Sequence, residues 1–380
     1  MFATLAESVV DTSEVHRRAM GRALDLARSA LGRTSPNPAV GAVVLHHDQI
    51  VGEGATRPPG GDHAEVVALH AAGARARGAT LLVTLEPCNH AGRTPACTSA
   101  ILRAGIVRVI VAVRDPNPSV RGAALEHLRA NGVAVATGLE REAASELNFG
   151  FFKLAATGRP LVTLKWAMTL DGKIAGPAGG GAITGPQARA EVHALRDASD
   201  AILIGSGTAR IDDPRLTVRP APPDGRQPVR VVLDSGAALA SRARMLREPG
   251  QTLVIATPAA SAAHRRALAA AGVEVLICAA DQAGRVDPDA MLRELGARGL
   301  TSVLVEGGAR VHASLLDASV VDRVVVFVAP HIMGAGVAAV ATRVEQPHGS
   351  LVNLSDVKVR TLGPDVMIAG YLNRYDPAVN

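Results

Sequence analysis

Two of the three cysteines in the chain, Cys88 and Cys97, lie in one short stretch, LEPCNHAGRTPAC. Upstream of them, GDHAEVVAL carries His63 and Glu65 two positions apart. One imidazole and two thiolates suit zinc, and three protein ligands leave the fourth tetrahedral position open for water. In zinc deaminases, the glutamate of an H-x-E pair carries protons and does not bind the metal. The pattern predicts a zinc site formed by His63, Cys88 and Cys97, with Glu65 as the catalytic acid and base.

Each of these residues also has an ordinary structural explanation. A histidine and a glutamate are common at a helix start, and a free cysteine is often a small core residue. Their combination and order favour the metal site. Eight residues separate Cys88 from Cys97, instead of the two in the P-C-x-x-C signature of zinc deaminases. The longer loop between them adds His90, Arg93 and Thr94. These three side chains could meet the ring or phosphate of a substrate, or the loop could simply cap the next helix.

Strand and helix signals alternate around these residues. The apolar runs at 39–45, 79–86 and 107–113 predict strands, and HAEVVALHAAGARARG and TPACTSAILRAG predict helices, the latter with a proline in its first turn. This order predicts β-α-β units with parallel strands covered on both faces. Phenylalanines cluster in NFGFFKLAATGRP, which predicts a domain junction, and we expect domains at 1–150 and 151–380. The second part alternates in the same way and ends in a predicted hairpin, VKVRTLGPDVMIAGYL.

Composition excludes several classes of protein. The chain has 380 residues, of which 48% are hydrophobic, and a net charge of +5, so we expect two well-packed domains and not a disordered chain. Only 2% of the residues are aromatic, which argues against a nucleic-acid-editing deaminase that stacks bases. No long apolar run or signal peptide is evident. We therefore expect a cytoplasmic enzyme for a compact anionic substrate, with no nucleic-acid or membrane partner.

Four motifs in the first part carry a family resemblance. SPNPAVGAVV, GDHAE, TLEPCNHAGRTPAC and RDPNP occur in the order found in the bifunctional riboflavin-biosynthesis deaminase/reductase family, which this chain resembles. The resemblance implies an α/β chain, with a cytidine-deaminase-like three-layer domain followed by a dihydrofolate-reductase-like domain. It also implies zinc-dependent deamination of 2,5-diamino-6-ribosylamino-4(3H)-pyrimidinone 5′-phosphate. Three further residues would help to bind this substrate: Asn37, Asp115 and Asn117.

The second part resembles the reductase half of the same family. The segments that carry the resemblance are TLKWAMTLDGKIA, ITGPQARAEVHALR, SGTARIDDPRLTVR, VVLDS and SVLVEGGARVHASLL. It implies that NADPH reduces the ribosyl group to ribityl, giving 5-amino-6-ribitylamino-uracil 5′-phosphate, and that the chain forms a homo-oligomer. The implied cofactor-binding residues are Ala167, Thr208, Asp212, Ser235, Gly308, Ala309, Arg310, Val311, His312, Ala313 and Ser314. The implied substrate-binding residues are Arg196, Leu216, Arg219, Glu306 and Gly180, the arginines as phosphate ligands.

Two points in the second part stay open from sequence alone. Lys165 and Asp171 are candidates for places near the reacting carbon, although an ordinary strand lysine and turn aspartate would look the same. Before ITGPQ the family has serine, a variable residue and tryptophan, whereas this chain reads GGGA, with Gly180 and Ala182 at the serine and tryptophan positions. The alternative hypothesis is therefore a deaminase whose reductase domain is impaired or inactive.

Overall fold

The structure is a computed structural model, and it describes residues 13–89, 95–116, 122–177, 181–341 and 352–373. The described residues form two compact units, one ending at Ala156 and the other starting at Thr157. None of the helices described in either unit has the length and apolar character needed to span a membrane. The boundary expected at residues 150 and 151 falls inside a helix, Arg141–Thr157, and stays a prediction.

The first unit is a sheet covered by helices. Its elements are α1 (Glu14–Ala30), β1 (Gly41–His46), β2 (Gln49–Ala55), α2 (Ala64–Ala72), β3 (Thr80–Leu85), α3 (Cys97–Ala104), β4 (Arg108–Val113), α4 (Ala123–Ala130), β5 (Ala134–Thr137) and α5 (Arg141–Thr157). The strand order is β2-β1-β3-β4-β5. The last three strands run parallel, as predicted, and almost every residue of β1, β3 and β4 is buried. Strands buried in this way need helices on both faces of the sheet.

Two sequence expectations for this unit are wrong. Strand β1 pairs antiparallel with β3 and also with β2, a strand that the apolar pattern did not predict. The connection from β1 to β2 is a two-residue turn, His47–Asp48, and both residues have positive φ (46° and 61°), as tight hairpins require. Helix α3 begins at Cys97 with Ala96 as its N-cap, so Pro95 precedes the helix and is not in its first turn.

Two glycines let α2 lie directly against β2. A Cβ atom on Gly54 would be 2.6 Å from the Cβ of Val67 and 2.7 Å from the amide nitrogen of Ala68. A Cβ atom on Gly52 would be 2.3 Å from the carbonyl oxygen of Ala68. Real Cβ atoms do not approach backbone this closely, so any larger residue would push the helix away. The glycines of β2 therefore set the position of the helix that starts next to His63.

The second unit is built on a larger sheet. Its elements are β6 (Leu161–Thr169), β7 (Lys173–Ala175), α6 (Pro186–Asp197), β8 (Ala201–Gly205), α7 (Ser206–Asp212), β9 (Val229–Leu233), β10 (Thr252–Ala256), α8 (Ala262–Ala270), β11 (Glu274–Ile277), α9 (Pro288–Ala297), β12 (Ser302–Gly307), α10 (Ala309–Asp317), β13 (Arg323–Ala329), β14 (Val337–Ala338), β15 (Ser355–Leu362) and β16 (Asp365–Tyr371). Its described strands form a nine-stranded sheet in the order β11-β10-β9-β8-β12-β6-β13-β16-β15, and β7 pairs with β14.

The first seven strands of this sheet, from β11 to β13, run parallel to one another. Strand β16 pairs antiparallel with both of its neighbours, β13 and β15. The predicted closing hairpin is confirmed as β15–β16, and the predicted α/β class is confirmed for both units. Buried aliphatic side chains from the parallel strands, including Leu164, Leu203 and Val305, form the core of the unit. Ligands of parallel sheets bind at the carboxyl ends of the strands. Most of the residues that the family resemblance assigns to the reductase lie at or near the ends of four of these strands, β6, β8, β9 and β12.

Candidate metal centre and candidate nucleotide site

Three predicted metal ligands meet in the first unit. The Nδ1 atom of His63 lies 3.3 Å from the Sγ of Cys97 and 3.6 Å from the Sγ of Cys88. One ligand atom from each residue lies within 4.8 Å of the other two, and no other such cluster occurs in the part of the chain that the structure describes. Zinc–ligand bonds of about 2.3 Å to sulfur and 2.0 Å to nitrogen in a tetrahedron place those atoms about 3.6 Å apart. The donor types and their spacing therefore fit Zn²⁺.

Local structure explains how these three side chains come together. His63 is the N-cap residue of α2 but makes no capping hydrogen bond with its side chain, which leaves the imidazole available. Cys88 follows β3, and the amide of Cys97 donates a hydrogen bond to its sulfur at 3.3 Å. The amide of Thr98 bonds the carbonyl of Cys88 at 3.2 Å. The first turn of α3 thus supports a negative charge on Cys88, as helix N-termini do.

The protons of this cluster are shared unequally. A hydrogen bond from Cys97 lowers the pKa of the Cys88 thiol to about 4, although burial opposes this. The same contact, together with burial, raises the pKa of Cys97. Hydrogen bonding to Cys88 raises the pKa of His63. One thiolate therefore forms readily, whereas a second one needs a cation beside it, and this is the charge balance that a divalent metal provides.

Glu65 lies in the first turn of α2, beside these ligands, and is only 3% exposed. Burial raises the pKa of its carboxyl group, while His63 and a hydrogen bond from Cys97 act in the opposite sense. A carboxylate whose pKa is raised accepts a proton more readily than an exposed one, which suits a group that must take a proton from water. The geometry thus places a proton carrier next to the candidate metal position.

The other residues predicted for deamination are only partly described. Asn37 lies in the turn before β1, where its backbone amide donates to the backbone carbonyl of Thr34 at 2.8 Å. Asp115 follows β4, and its amide donates to the Oε2 of Glu86 at 3.2 Å. Their substrate contacts stay predictions. Four residues lie outside the described part of the chain: Asn117, His90, Arg93 and Thr94.

Sequence reasoning missed two buried polar residues that support this site. The Oε2 atom of Glu86 accepts the amides of both Asp115 and Gly122 at 3.2 Å, and burial raises the pKa of its carboxyl group. Asn148, on α5, bonds the amide and the carbonyl of Ala39 at 2.9 and 3.0 Å. The glutamate stands in the EPC tripeptide and could have been noticed. Nothing local marks Asn148, because its partner is 109 residues away.

In the second unit, a carboxylate lies between two cations. The Oε1 and Oε2 atoms of Glu306 accept hydrogen bonds from Arg196 at 2.5 and 2.8 Å, and Oε2 lies 3.5 Å from the Nζ of Lys165. All three side chains are largely buried, at 8–12% exposure. Burial opposes ionisation of Glu306, but Lys165 and Arg196 outweigh it and hold the pKa at about 2. Glu306 is therefore a fixed anion. The structure brings it together with Arg196, which is also predicted to bind substrate, and the substrate contacts of both stay predictions.

Arg196 is already occupied within the protein. Besides the two bonds to Glu306, its Nη1 atom donates to the carbonyl of Thr217 at 2.9 Å. All three guanidinium nitrogens thus have protein acceptors, so this arginine orients Glu306 and the adjacent backbone. Leu216 is buried with φ of 54°, whereas Arg219, three residues later, is exposed. Of the two predicted phosphate ligands, Arg219 is the one whose side chain reaches solvent.

The predicted nucleotide segment begins at the N-terminus of α10. Gly308 is the N-cap residue of this helix, and a Cβ atom there would lie 3.0 Å from the Oγ1 of Thr208. A Cβ atom on Gly205 would lie 2.8 Å from the Cγ2 of Val311. The missing side chains bring the end of β8, helix α7 and helix α10 close together and leave backbone amides accessible to an anion. This is the chemistry that a dinucleotide pyrophosphate requires, so these residues fit NADPH.

The remaining predicted nucleotide residues surround the same strand ends or lie in α10. Ala167 is on β6, Thr208 and Asp212 are on α7, Ser235 follows β9, and Ala309, Arg310, Val311, His312, Ala313 and Ser314 form α10. The His312 ring is turned into the core: it is 1% exposed, its Nδ1 bonds the carbonyl of Ala339 at 2.9 Å, and it contacts Trp166. Its side chain is therefore part of the core, and its amide donates to the carbonyl of Gly308 at 3.1 Å. Gly180 lies outside the described residues.

Asp171 is held by the fold and not directed at an open site. Its Oδ1 atom accepts from the Oγ1 of Thr169 at 2.6 Å and from the amide of Met333 at 3.0 Å, and its Oδ2 accepts the amide of Gly334 at 2.7 Å. The bond from Thr169 and these amides keep the pKa of Asp171 at about 2. This arrangement favours the structural explanation for the aspartate, which joins the β6–β7 turn to the segment after β13.

Family models match both units of the chain. Residues 13–113 match the family described as cytidine and deoxycytidylate deaminase zinc-binding region, and residues 160–368 match the RibD C-terminal domain. The riboflavin biosynthesis protein RibD of Aquifex aeolicus is 43% identical over 364 residues, covering 95% of this chain and 99% of that protein. RibD of Escherichia coli is 38% identical over 367 residues, covering 92% and 97%.

Solved structures give the same result. RibD of Acinetobacter baumannii superposes with a TM-score of 0.83 at 34% identity, covering 94% of this chain and 99% of that one. A diaminohydroxyphosphoribosylaminopyrimidine deaminase/5-amino-6-(5-phosphoribosylamino)uracil reductase of Thermotoga maritima gives 0.82 at 36% identity, covering 94% and 98%. The matched domains fit Zn²⁺ in the first unit and NADPH in the second. The chain therefore belongs to the RibD family, whose members combine a deaminase and a reductase of riboflavin biosynthesis in one polypeptide.

Proposed function

We propose that the first unit deaminates 2,5-diamino-6-ribosylamino-4(3H)-pyrimidinone 5′-phosphate and that the second reduces the ribosyl group of the product, giving 5-amino-6-ribitylamino-uracil 5′-phosphate. The observation that carries the proposal is the cluster of His63, Cys88 and Cys97 with a buried Glu65 in a chain that also holds the Glu306 network. The description of the Thermotoga maritima relative names both activities and supports this choice of substrate.

For deamination, His63, Cys88 and Cys97 would hold the zinc ion. When bound, zinc lowers the pKa of a coordinated water to about 7 and so supplies the nucleophile. Glu65 takes a proton from this water and passes it to the ring nitrogen. Once the water oxygen has bonded to the ring carbon, Glu65 would move the second proton from that oxygen to the amino group, whose bond to the ring carbon breaks as ammonia leaves and a carbonyl remains. Burial raises the pKa of Glu65 above its ordinary value, which makes its carboxylate a stronger proton acceptor for the first transfer.

For reduction, the amides at the start of α10 would bind the nucleotide, and the exposed Arg219 would bind the substrate phosphate. When bound, NADPH supplies a hydride to the sugar carbon once the ring has opened to an imine. Glu306 stays ionised at any physiological pH and can accept hydrogen bonds from ribose hydroxyls. Lys165, whose Nζ lies 3.5 Å from the Oε2 of Glu306, is the candidate proton donor for this reduction.

An assay of purified protein with this diaminopyrimidine and NADPH in one vessel tests the proposal. We expect NADPH to be consumed and a ribityl product to form. Glu65→Gln is expected to keep its zinc, to lose deamination, and still to reduce substrate that has been deaminated beforehand. A fully active Glu65→Gln enzyme would reject the proton-carrier role. Deaminated product that accumulates without NADPH loss would support the alternative of an inactive reductase, which nothing in the described residues favours.

The setting of the enzyme is part of the proposal. We propose that it works in the cytoplasm as a homo-oligomer and has no nucleic-acid or membrane partner. The family resemblance supports oligomerisation, and the 2% aromatic content and net charge of +5 support the absence of a nucleic-acid surface. Light scattering of the purified chain that gave a monomer at working concentrations would contradict the oligomer.

A further inference from the structure

Three consecutive backbone positions before Pro220 are held by side chains from elsewhere in the second unit. The carbonyl of Thr217 accepts from Arg196 at 2.9 Å, and the amide of Val218 donates to the Oε1 of Gln227 at 2.8 Å. The amide of Arg219 donates to the Nδ1 of His193 at 3.1 Å. Because none of these three residues lies in a strand or a helix, these side chains hold the backbone from which the Arg219 side chain extends.

His193 makes the bond closest to Arg219, and only its neutral form can do so. An Nδ1 atom that accepts an amide hydrogen carries no proton, whereas imidazolium has donors on both nitrogens. The charged groups around the ring are Arg196 on the same helix, Arg219 on the segment that it holds, and Glu306 on β12. Burial and the two guanidinium groups lower the pKa of His193, while Glu306 and a hydrogen bond with the Thr217 backbone oppose this. Its surroundings therefore favour the accepting form.

We propose that His193 is a positioning residue for the phosphate group of the reductase substrate, acting through its hydrogen bond to the backbone of Arg219. The proposal rests on the function proposed above, in which Arg219 binds that phosphate. His193 does not touch the substrate in this arrangement. It holds the backbone of Arg219 in place, so that less backbone freedom is lost when the guanidinium binds phosphate.

The arrangement predicts a particular kinetic effect. A contact to a non-reacting phosphate is made equally in the ground state and the transition state, so its loss raises KM and leaves kcat nearly unchanged. Loss of one neutral hydrogen bond corresponds to about a fivefold change. Because the pKa of His193 is lowered from the ordinary histidine value, its protonation in acidic solution removes the acceptor only below that value, and KM is there expected to rise further than titration of the phosphate alone requires.

The test compares His193→Ala with His193→Gln in the full-length protein. Glutamine offers a side-chain oxygen that can accept the same amide but does not titrate. With the deaminated substrate, we expect His193→Ala to raise KM about fivefold at pH 7.5, with kcat, the KM for NADPH and the deaminase rate unchanged. We expect His193→Gln to restore the wild-type KM at pH 7.5. Between pH 7.5 and 5.5, KM should rise more steeply for the wild-type protein than for His193→Gln, since both share the titrating phosphate.

Calorimetric titration of the same substrate without NADPH separates binding from turnover, and Arg219→Ala serves as the benchmark for complete loss of the phosphate contact. His193→Ala should weaken binding by about the same factor as it raises KM, and by less than Arg219→Ala does. Wild-type affinity in His193→Ala, or identical pH profiles for wild type and His193→Gln, would overturn the positioning role. A wild-type protein that fails to reduce this substrate would instead refute the proposed function itself.

Discussion

Replacing Glu306 by glutamine is expected to destabilise the second unit at pH 7 by about 3 kcal/mol. The figure follows from the site. Lys165 and Arg196 hold the pKa of this buried carboxyl group at about 2, against an ordinary value of 4.5. At about 1.4 kcal/mol for each pKa unit, ionisation of Glu306 in the folded protein contributes about 3 kcal/mol. Glutamine has nearly the same shape but carries no charge, and it leaves two cations without their anion.

The pH dependence has a definite sign. Because the folded pKa lies below the unfolded one, the contribution is fully present above pH 4.5 and is lost as pH falls towards 2. The difference in unfolding free energy between wild type and Glu306→Gln should therefore shrink to about 1 kcal/mol by pH 3. A second replacement, Lys165→Met, should recover part of the loss in Glu306→Gln at pH 7, because it removes one of the two uncompensated cations.

The chain offers a convenient probe for this experiment. Trp166, its only tryptophan, lies on β6 in the second unit, next to Lys165 in sequence. Urea unfolding followed by tryptophan fluorescence therefore reports on the second unit, even if the two units unfold in separate transitions. A penalty below about 1 kcal/mol at pH 7, or a double variant no more stable than Glu306→Gln, would refute the view that Glu306 is a fixed anion between two cations.

Two further predictions concern the bound groups. Cys97→Ser should lower the zinc content measured by atomic emission, because a hydroxyl is a much poorer zinc ligand than a thiolate; stoichiometric zinc with normal deamination would remove Cys97 from the site. Gly308→Ala should raise the KM for NADPH by roughly tenfold and leave the deaminase rate unchanged, because the new Cβ would lie 3.0 Å from the Oγ1 of Thr208 where the nucleotide is expected. An unchanged KM for NADPH would show that the nucleotide does not approach Gly308.

The sequence predicted the metal cluster because the ligand types themselves define the chemistry. His63, Cys88 and Cys97 are spread over 35 positions, yet a shared metal site gives all three side chains one role. The structure places their ligand atoms together, as such a site requires. The parallel strands were predictable for a similar reason, since runs such as VIVAV at 109–113 contain no polar residue that could face water. Strand β2, QIVGEGA, was missed because its two glycines, its glutamine and its glutamate hide the strand pattern, and the positive-φ turn before it uses histidine and aspartate, not the usual glycine.

Residues that act through distant backbone could not be predicted from sequence. His193 and Arg219 are 26 positions apart, Asp171 and Met333 are 162 apart, and no local pattern connects either pair. Asp171 shows the consequence: its place in LDG suggested the reacting carbon, whereas its three hydrogen bonds join two loops. Arg196 is a similar case, since its charge suggested phosphate binding before the structure showed each nitrogen donating to Glu306 or Thr217.

The double hydrogen bond between Asn148 and Ala39 constrains how this protein can be made on a ribosome. The zinc-binding region matched by the family ends at residue 113, so all three metal ligands leave the ribosome well before α5 does. The turn that contains Asn37 cannot acquire its partner until α5 has been synthesised. During synthesis, the first unit therefore passes through a stage in which all three metal ligands are present but the backbone of Ala39 still lacks its hydrogen bonds to Asn148. Shortened versions of the deaminase that end before Asn148 would remain at that stage.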